Sequence, residues 1–194
     1  MQLKMYRPAD LPIPDYPIPE GFTIREMREG EEACWAYCCL GEFAHEVSPD
    51  AYNRSMAKDP GVRMCDVFYA CIDDKPVATC TARTSDTGEP FLHYVACNPD
   101  ARGHGITYPL ISKVLQRHAE FGRYGCALTT DDPRLPAIKI YLKMGFLPVL
   151  REGDPDVRTR WGKVIAHYNM KSVKCVNDDY SPNSEDITVI EENA

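Results

Sequence analysis

Several features common in proteins are missing from this 194-residue chain. No stretch approaches about 18 consecutive apolar residues, and no charged-then-apolar leader opens the sequence. Neither a membrane span nor a secretory signal is written in it, so the expectation is a cytoplasmic protein with no membrane partner. Nine cysteines are present, at 34, 38, 39, 65, 71, 80, 97, 126 and 175, but none is part of a Cys-x-x-Cys pair and the total is odd. A disulfide framework or a zinc site would show paired spacings, so buried, reduced thiols and no metal are expected. Lysine and arginine are absent from residues 177 to 194, which carry Asp178, Asp179, Glu185, Asp186, Glu191 and Glu192. The net charge of −7 therefore leaves −1 for the rest of the chain. A near-neutral body lacks the broad basic surface that a nucleic-acid partner would need.

What remains is an ordinary globular composition, 44% apolar and 26% charged, long enough for one sizeable core. Residues 1–21 contain Pro8, Pro12, Pro14, Pro17 and Pro19, which predicts an extended arm with no helix. Residues 22–176 read as the folded domain. Residues 177–194 read as an acidic, flexible tail with little apolar surface beyond Ile187, Val189 and Ile190, whose imperfect alternation leaves room for an edge strand in a homodimer. Within the domain, Phe22 to Met27 alternates as a strand. Glu29 to about Phe43 is helical, and Ser48-Pro49-Asp50 starts a second helix. Asp66 to Ile72 and Val77 to Arg83 flank Asp73-Asp74-Lys75-Pro76 as a hairpin. After a further strand, helix, strand and helix, Phe146 to Leu150 and Val164 to Met170 are expected to close the sheet as an antiparallel pair. The connection between those two holds Arg158, Arg160 and Trp161.

The most informative stretch runs from Phe91 to Leu115. Apolar and β-branched residues from Phe91 to Cys97 predict a strand, which Asn98-Pro99 ends because proline has no amide hydrogen for the ladder. Arg102-Gly103-His104-Gly105-Ile106-Thr107 follows, and then Ile106, Leu110, Ile111, Val114, Leu115 and His118 form one apolar helical face. Two glycines let the backbone turn tightly and leave successive amides uncovered at a helix start. Those amides have no partners inside the helix and its dipole favours negative charge, so the loop suits a phosphate or pyrophosphate. A Walker loop would need Lys-Ser or Lys-Thr after the last glycine. A dinucleotide fold would need a third glycine and a later acidic residue. Neither is present.

This loop resembles the acyl-CoA-binding signature of the GNAT acetyltransferase superfamily, Arg/Gln-x-x-Gly-x-Gly/Ala. Arg102, Gly103, His104, Gly105 and Ile106 match it, and Thr107 stands where the family prefers Gly or Ala. About 35 residues on, Ala137-Ile138-Lys139-Ile140-Tyr141-Leu142-Lys143-Met144-Gly145-Phe146 resembles the family's A-x-x-x-Y-x-x-x-G-F helix. Ala137, Tyr141 and Met144 fall on one face, and Gly145 is a natural left-handed stop. The resemblance covers roughly residues 22 to 150. It implies a single-domain α/β fold in which helices flank a mixed, mostly antiparallel sheet, with a parallel pair at the acyl-CoA site.

The same resemblance implies an N-acetyltransferase that moves an acetyl group from acetyl-CoA to a primary amine by direct attack, without a metal. The acceptor would be a small-molecule or protein amine. Val95, Ala96 and Cys97 would hold the pantetheine arm through main-chain groups, and Arg102 through Thr107 would hold the pyrophosphate. Tyr141, beside the cofactor, would donate a proton to the leaving thiolate. His93 would share a strand face with Val95 and Cys97, where some family members carry a glutamate base, and imidazole can do that work near its ordinary pKa of about 6.5. His45, Glu46 and Tyr52 are further candidates on the helical segment that walls the acceptor pocket in the family. The competing readings are a non-catalytic acyl-CoA sensor and an interaction module built on the arm and tail.

Overall fold

Residues 1–189 are described in the computed structural model, so Ile190, Glu191 and Glu192 of the expected tail lie outside the described residues. In chain order the elements begin with β1 (Leu3–Arg7), β2 (Phe22–Glu26), α1 (Glu32–Cys38), α2 (Pro49–Ser55), β3 (Val67–Ile72), β4 (Lys75–Thr84) and β5 (Pro90–Cys97). They continue with α3 (Thr107–Glu120), β6 (Cys126–Thr130), α4 (Leu135–Lys143), β7 (Leu147–Leu150), α5 (Val157–His167), β8 (Ser172–Val173), β9 (Val176–Asn177) and β10 (Ile187–Thr188). The architecture is mixed α/β. Two compact units are distinguished, Pro12–Cys126 and Met1–Leu11 together with the chain from Ala127 onward.

In the unit Pro12–Cys126 the strands run β2-β3-β4-β5, each pair antiparallel. Side chains alternate across a strand, so the pairings Val67↔Thr81 and Tyr69↔Thr79 define one face, while Phe68↔Cys80 defines the other. The first face is covered by α1 and α2, whose Trp35, Cys38, Ala51 and Tyr52 pack with Val67, Tyr69 and Ala96. Helix α3 covers the second with Leu110, Ile111, Val114 and Leu115, each nearly inaccessible to solvent. Pro109 sits in the first turn of α3, where its missing amide hydrogen costs no helix bond. The cysteines behave as small hydrophobes. All nine are free, Cys34, Cys65 and Cys97 half-buried and the others buried, and no metal-holding group occurs among the described residues.

The other unit departs furthest from expectation. The proline-rich arm expected over residues 1–21 contains strand β1, in which Leu3, Met5 and Arg7 point inward. It pairs antiparallel with β7 through Met5↔Pro148 and Tyr6↔Leu147. Arg7 is only 2% exposed, and its Nε donates to the Met144 carbonyl at 3.0 Å, tying the strand to the end of α4. Of the expected closing strand Val164 to Met170, residues 164–167 are instead the end of helix α5 and the rest is the turn after it. Val157, Trp161, Gly162, Val164 and Ile165 are the helix's buried residues, spaced at a helical period with Arg158, Lys163 and His167 turned elsewhere. The partner that β7 was expected to find there is supplied by β1 and, in parallel, by β9 through Val149↔Val176. Chain beyond residue 176 continues in regular structure. Ile187 pairs with Val173 and is 1% exposed, packed by α5, so the part of the expected flexible tail up to Thr188 is seated.

Candidate active site

The order of strand, turn, glycine loop and helix is as predicted. Asn98, 3% exposed, ends β5. Its side chain donates to the Tyr37 carbonyl at 3.0 Å and accepts from the Asp100 amide at 3.1 Å, which fixes the chain's exit from the strand against α1. Arg102 turns back, its Nε donating to the Cys97 carbonyl at 3.1 Å and its Nη2 to Glu42 at 2.8 Å. Its guanidinium thus holds the loop to the strand end. His104 Nδ1 lies 3.3 Å from the Ala101 carbonyl, and its ring lies 5.5 Å from that of Phe22.

Gly103 and Gly105 have φ of 89° and 75°, in the left-handed region that residues with a Cβ avoid. A Cβ at either would meet no atom within 4 Å, so the glycines are required by their backbone conformation and not by crowding from the protein. No side chain caps α3, a helix of 14 residues with Ile106 as its N-cap. The start of this helix therefore offers amide hydrogens and the positive end of the dipole beside open space, which fits a pyrophosphate.

Strand β5 carries a feature that its sequence does not announce. Thr81 pairs with His93 but Thr79 pairs with Ala96, so Tyr94 and Val95 together face Cys80 in a β-bulge, and Tyr94 has a φ of 46°. An extra residue in one strand reverses the alternation beyond it. The expected sharing of a face by His93 and Cys97 is therefore corrected: His93 lies with Ala96 on the face covered by α1 and α2, and Cys97 with Leu92 on the face covered by α3. A bulge also leaves a residue unpaired in the ladder, freeing its main-chain groups for another partner.

Around His93 the bulge gathers aromatic rings. The Tyr94 ring lies 4.1 Å from that of His93, 5.0 Å from that of Trp35 and 5.1 Å from that of Phe43. Trp35 Nε1 and Thr81 Oγ1 are buried polar atoms without a hydrogen-bond partner. Burial pushes the His93 imidazole down to about 4, Arg83 adds to that shift and Asp59 opposes it. His93 is thus neutral throughout the physiological range. Arg83 and Asp59 are joined at 2.5 Å, so the two charges nearest His93 are held as a pair.

Of the other candidates on the α1–α2 segment, Tyr52 packs against Trp35 with ring centroids 5.8 Å apart and is 6% exposed. His45 is exposed, and Glu46 is engaged by Arg54 and Ser48 on the surface, which holds its carboxyl below the usual range. In the other unit Tyr141 is 6% exposed on α4, sharing its buried face with Ile138 and Met144, and its ring lies 6.0 Å from Phe146. Ala137, expected on that face, is only half-buried. Gly145 follows with φ 88°, the left-handed stop that the sequence predicts. Arg160 is absorbed by Asp132 and Asp154, Arg158 by Asn183 at 3.1 Å, and Trp161 is fully buried.

Residues 24–146 match the sequence profile of the acetyltransferase (GNAT) family, which is more than half of the chain. The chain belongs to the GNAT acetyltransferase family. Its relatives include mycothiol acetyltransferases from Thermomonospora curvata, 25% identical over 150 residues covering 74% of this chain and 50% of the relative, and from Streptomyces bingchenggensis, 30% identical over 147 residues covering 72% and 47%. The chain spans about half the length of the curated relatives it matches. Among solved structures, a GCN5-related N-acetyltransferase from Sphaerobacter thermophilus superposes with a TM-score of 0.59 at 23% identity, covering 75% of this chain and 47% of that one. An aminoglycoside N-acetyltransferase solved with CoA superposes with a TM-score of 0.52 at 18% identity, covering 64% and 86%. These likenesses show the fold. Within this GNAT chain, sequence reading missed the bulge at Tyr94 and the anchors Asn98 and Glu42. Only Asn98 had a signal, its place before Pro99.

Proposed function

We propose that this GNAT chain is an acetyl-CoA-dependent N-acetyltransferase acting on a primary amine by direct attack. The observation that carries the reading is the Arg102–Thr107 loop, with two left-handed glycines at the start of an uncapped helix and open space beside them. Amides of this loop would hold the pyrophosphate, and the main chain of Val95 in the bulge and of Ala96 and Cys97 just after it would position the pantetheine arm. Bound acetyl-CoA would supply a thioester whose carbon–sulfur bond breaks as the carbon–nitrogen bond forms.

The chain's own groups manage the protons. His93, neutral at physiological pH, would accept one from the attacking amine, directly or through a water. Its depressed basicity makes it a weak base, so orienting the amine would be as much its task as taking the proton. The rings of Tyr94, Trp35 and Phe43 beside it would supply an apolar wall that excludes water. Tyr141 would give its hydroxyl proton to the departing thiolate. A thiol's ordinary pKa of about 8.5 lets the sulfur leave with modest help, so Tyr141→Phe is expected to lower kcat by up to about 10²-fold with acetyl-CoA affinity nearly unchanged. Thiol release across an amine panel tests both points, beginning with amines related to mycothiol because relatives bear that name. Full turnover in Tyr141→Phe would remove the acid role. Binding of acetyl-CoA without product on any amine would favour the sensor reading.

A further inference from the structure

At the far end of α3, on the sheet face opposite His93, a pocket of about 280 Å³ opens among Arg63, Asp66, Thr84, Arg117, His118 and Arg123. It lies about 15 Å along the helix axis from the glycine loop, since Arg117 is ten residues beyond Thr107. We propose that this pocket binds a small oxyanion, a phosphate or a carboxylate, separately from the acyl-CoA loop.

Arg63, Arg117 and Arg123 are equalled in number by Asp66, Glu26 and Glu120, but the pairing is uneven. Arg63 gives the Nε–Nη2 edge of its guanidinium to Asp66 at 2.7 and 2.8 Å, so the two charges largely offset each other and neither decides the sign of the pocket. Arg123 donates to the Thr84 hydroxyl at 2.8 Å and, among the described residues, meets no carboxylate. Arg117 is held by Glu26, with Asp66 at 3.9 Å, yet its Nε is buried and has no hydrogen-bond acceptor. Glu120 Oε2 stands 3.2 Å from that nitrogen but off the line of its N–H bond. Buried guanidinium donors without acceptors are uncommon in folded proteins.

The neutral groups suit the same ligand. His118 Nε2 lies 3.4 Å from the Phe91 carbonyl, so the ring is engaged as a wall of the pocket. Thr84 accepts from Arg123 and keeps its own hydroxyl proton to donate. The floor is rigid. A Cβ on Gly61 would meet the Thr84 carbonyl oxygen at 1.9 Å, so this loop rides directly on β4, and the Thr84 amide donates back to the Gly61 carbonyl at 2.9 Å. Phe121, stacked under Arg63 at 5.1 Å, leaves an apolar side for the body of a small carboxylate or phosphate ester. The volume falls just below the usual range for small-molecule pockets, about 300–1,000 Å³, which limits the ligand to a few heavy atoms around its charge.

Calorimetric titration of the full chain with inorganic phosphate and, separately, with malonate tests the proposal, with chloride at matched ionic strength as the control. Saturable binding of either anion is expected to persist with CoA present at saturation. It should weaken about tenfold in Arg123→Gln and measurably in Thr84→Val, both judged folded by circular dichroism. Phosphate binding alone would point to phosphorylated ligands, and malonate binding alone to carboxylates. No saturable binding of either, displacement of both by CoA, or unchanged affinity in the two variants would overturn it.

Discussion

His93 and His118 are buried imidazoles whose pKa is pushed down to about 4, mainly by burial. An unfolded chain would titrate both near about 6.5, so as pH falls the unfolded state takes up protons first. Their contribution to stability is therefore complete above about pH 6.5 and is lost progressively towards pH 4, amounting to roughly 1–2 kcal/mol per histidine by pH 5. Urea unfolding at pH 7.5 and pH 5.0 should show that loss in the native chain and a smaller one in His93→Gln. Equal losses in both would mean that His93 is not held neutral by the fold. The same residue shows where local patterning misleads. Alternation along Phe91 to Cys97 puts His93 with Cys97, and only the pairings of β5 with β4 reveal the extra residue at Tyr94 that moves them to opposite faces. Nothing in a run of aromatic and β-branched residues marks a bulge, whereas Gly103 and Gly105 declare their positive φ because few other residues adopt it.

Among the elements, those with a local signal were legible: β3 and β4 around Asp73-Asp74, both of which have positive φ, α3 with its apolar face, and α4 ended by Gly145. Those defined by distant partners were not. Leu3–Arg7 looks like a short preface to a run of prolines, and its strand character depends on β7, some 140 residues later in the chain. Val164 and Ile165 invite a strand reading because both are β-branched, but their helix is set by the period from Val157 through Trp161. The segment after residue 176 is acidic and short of apolar residues, yet Ile187 is buried against α5 and Asn177 pairs with Leu150. Truncation after Val176 should therefore lower Tm by roughly 5–10 °C, reflecting the loss of about 2–3 kcal/mol of apolar burial. A differential scanning calorimetry trace unchanged by the truncation would mean that these short strands add nothing to stability.

For the whole molecule, family membership accounts for both sequence motifs, the glycine loop in one compact unit and the Tyr141 helix in the other. The proposed acceptor face around His93 was not legible, because it is built from rings and orphaned polar atoms contributed by α1, β4 and β5, elements far apart in sequence. The central proposal is narrower and rests on the loop: acetyl-CoA would be held by amides that only a left-handed backbone at Gly103 and Gly105 can present. Titration of acetyl-CoA into the native chain and into Gly105→Val measures it directly, with a melting curve to establish that the variant is folded. Because that glycine has φ 75° and no protein atom near its would-be Cβ, the substitution should disturb the loop and leave the core intact. The account predicts saturable binding to the native chain and a loss of at least about tenfold in the variant, equivalent to some 1.4 kcal/mol. Undiminished affinity in a folded Gly105→Val, or no binding to the native chain, would contradict it.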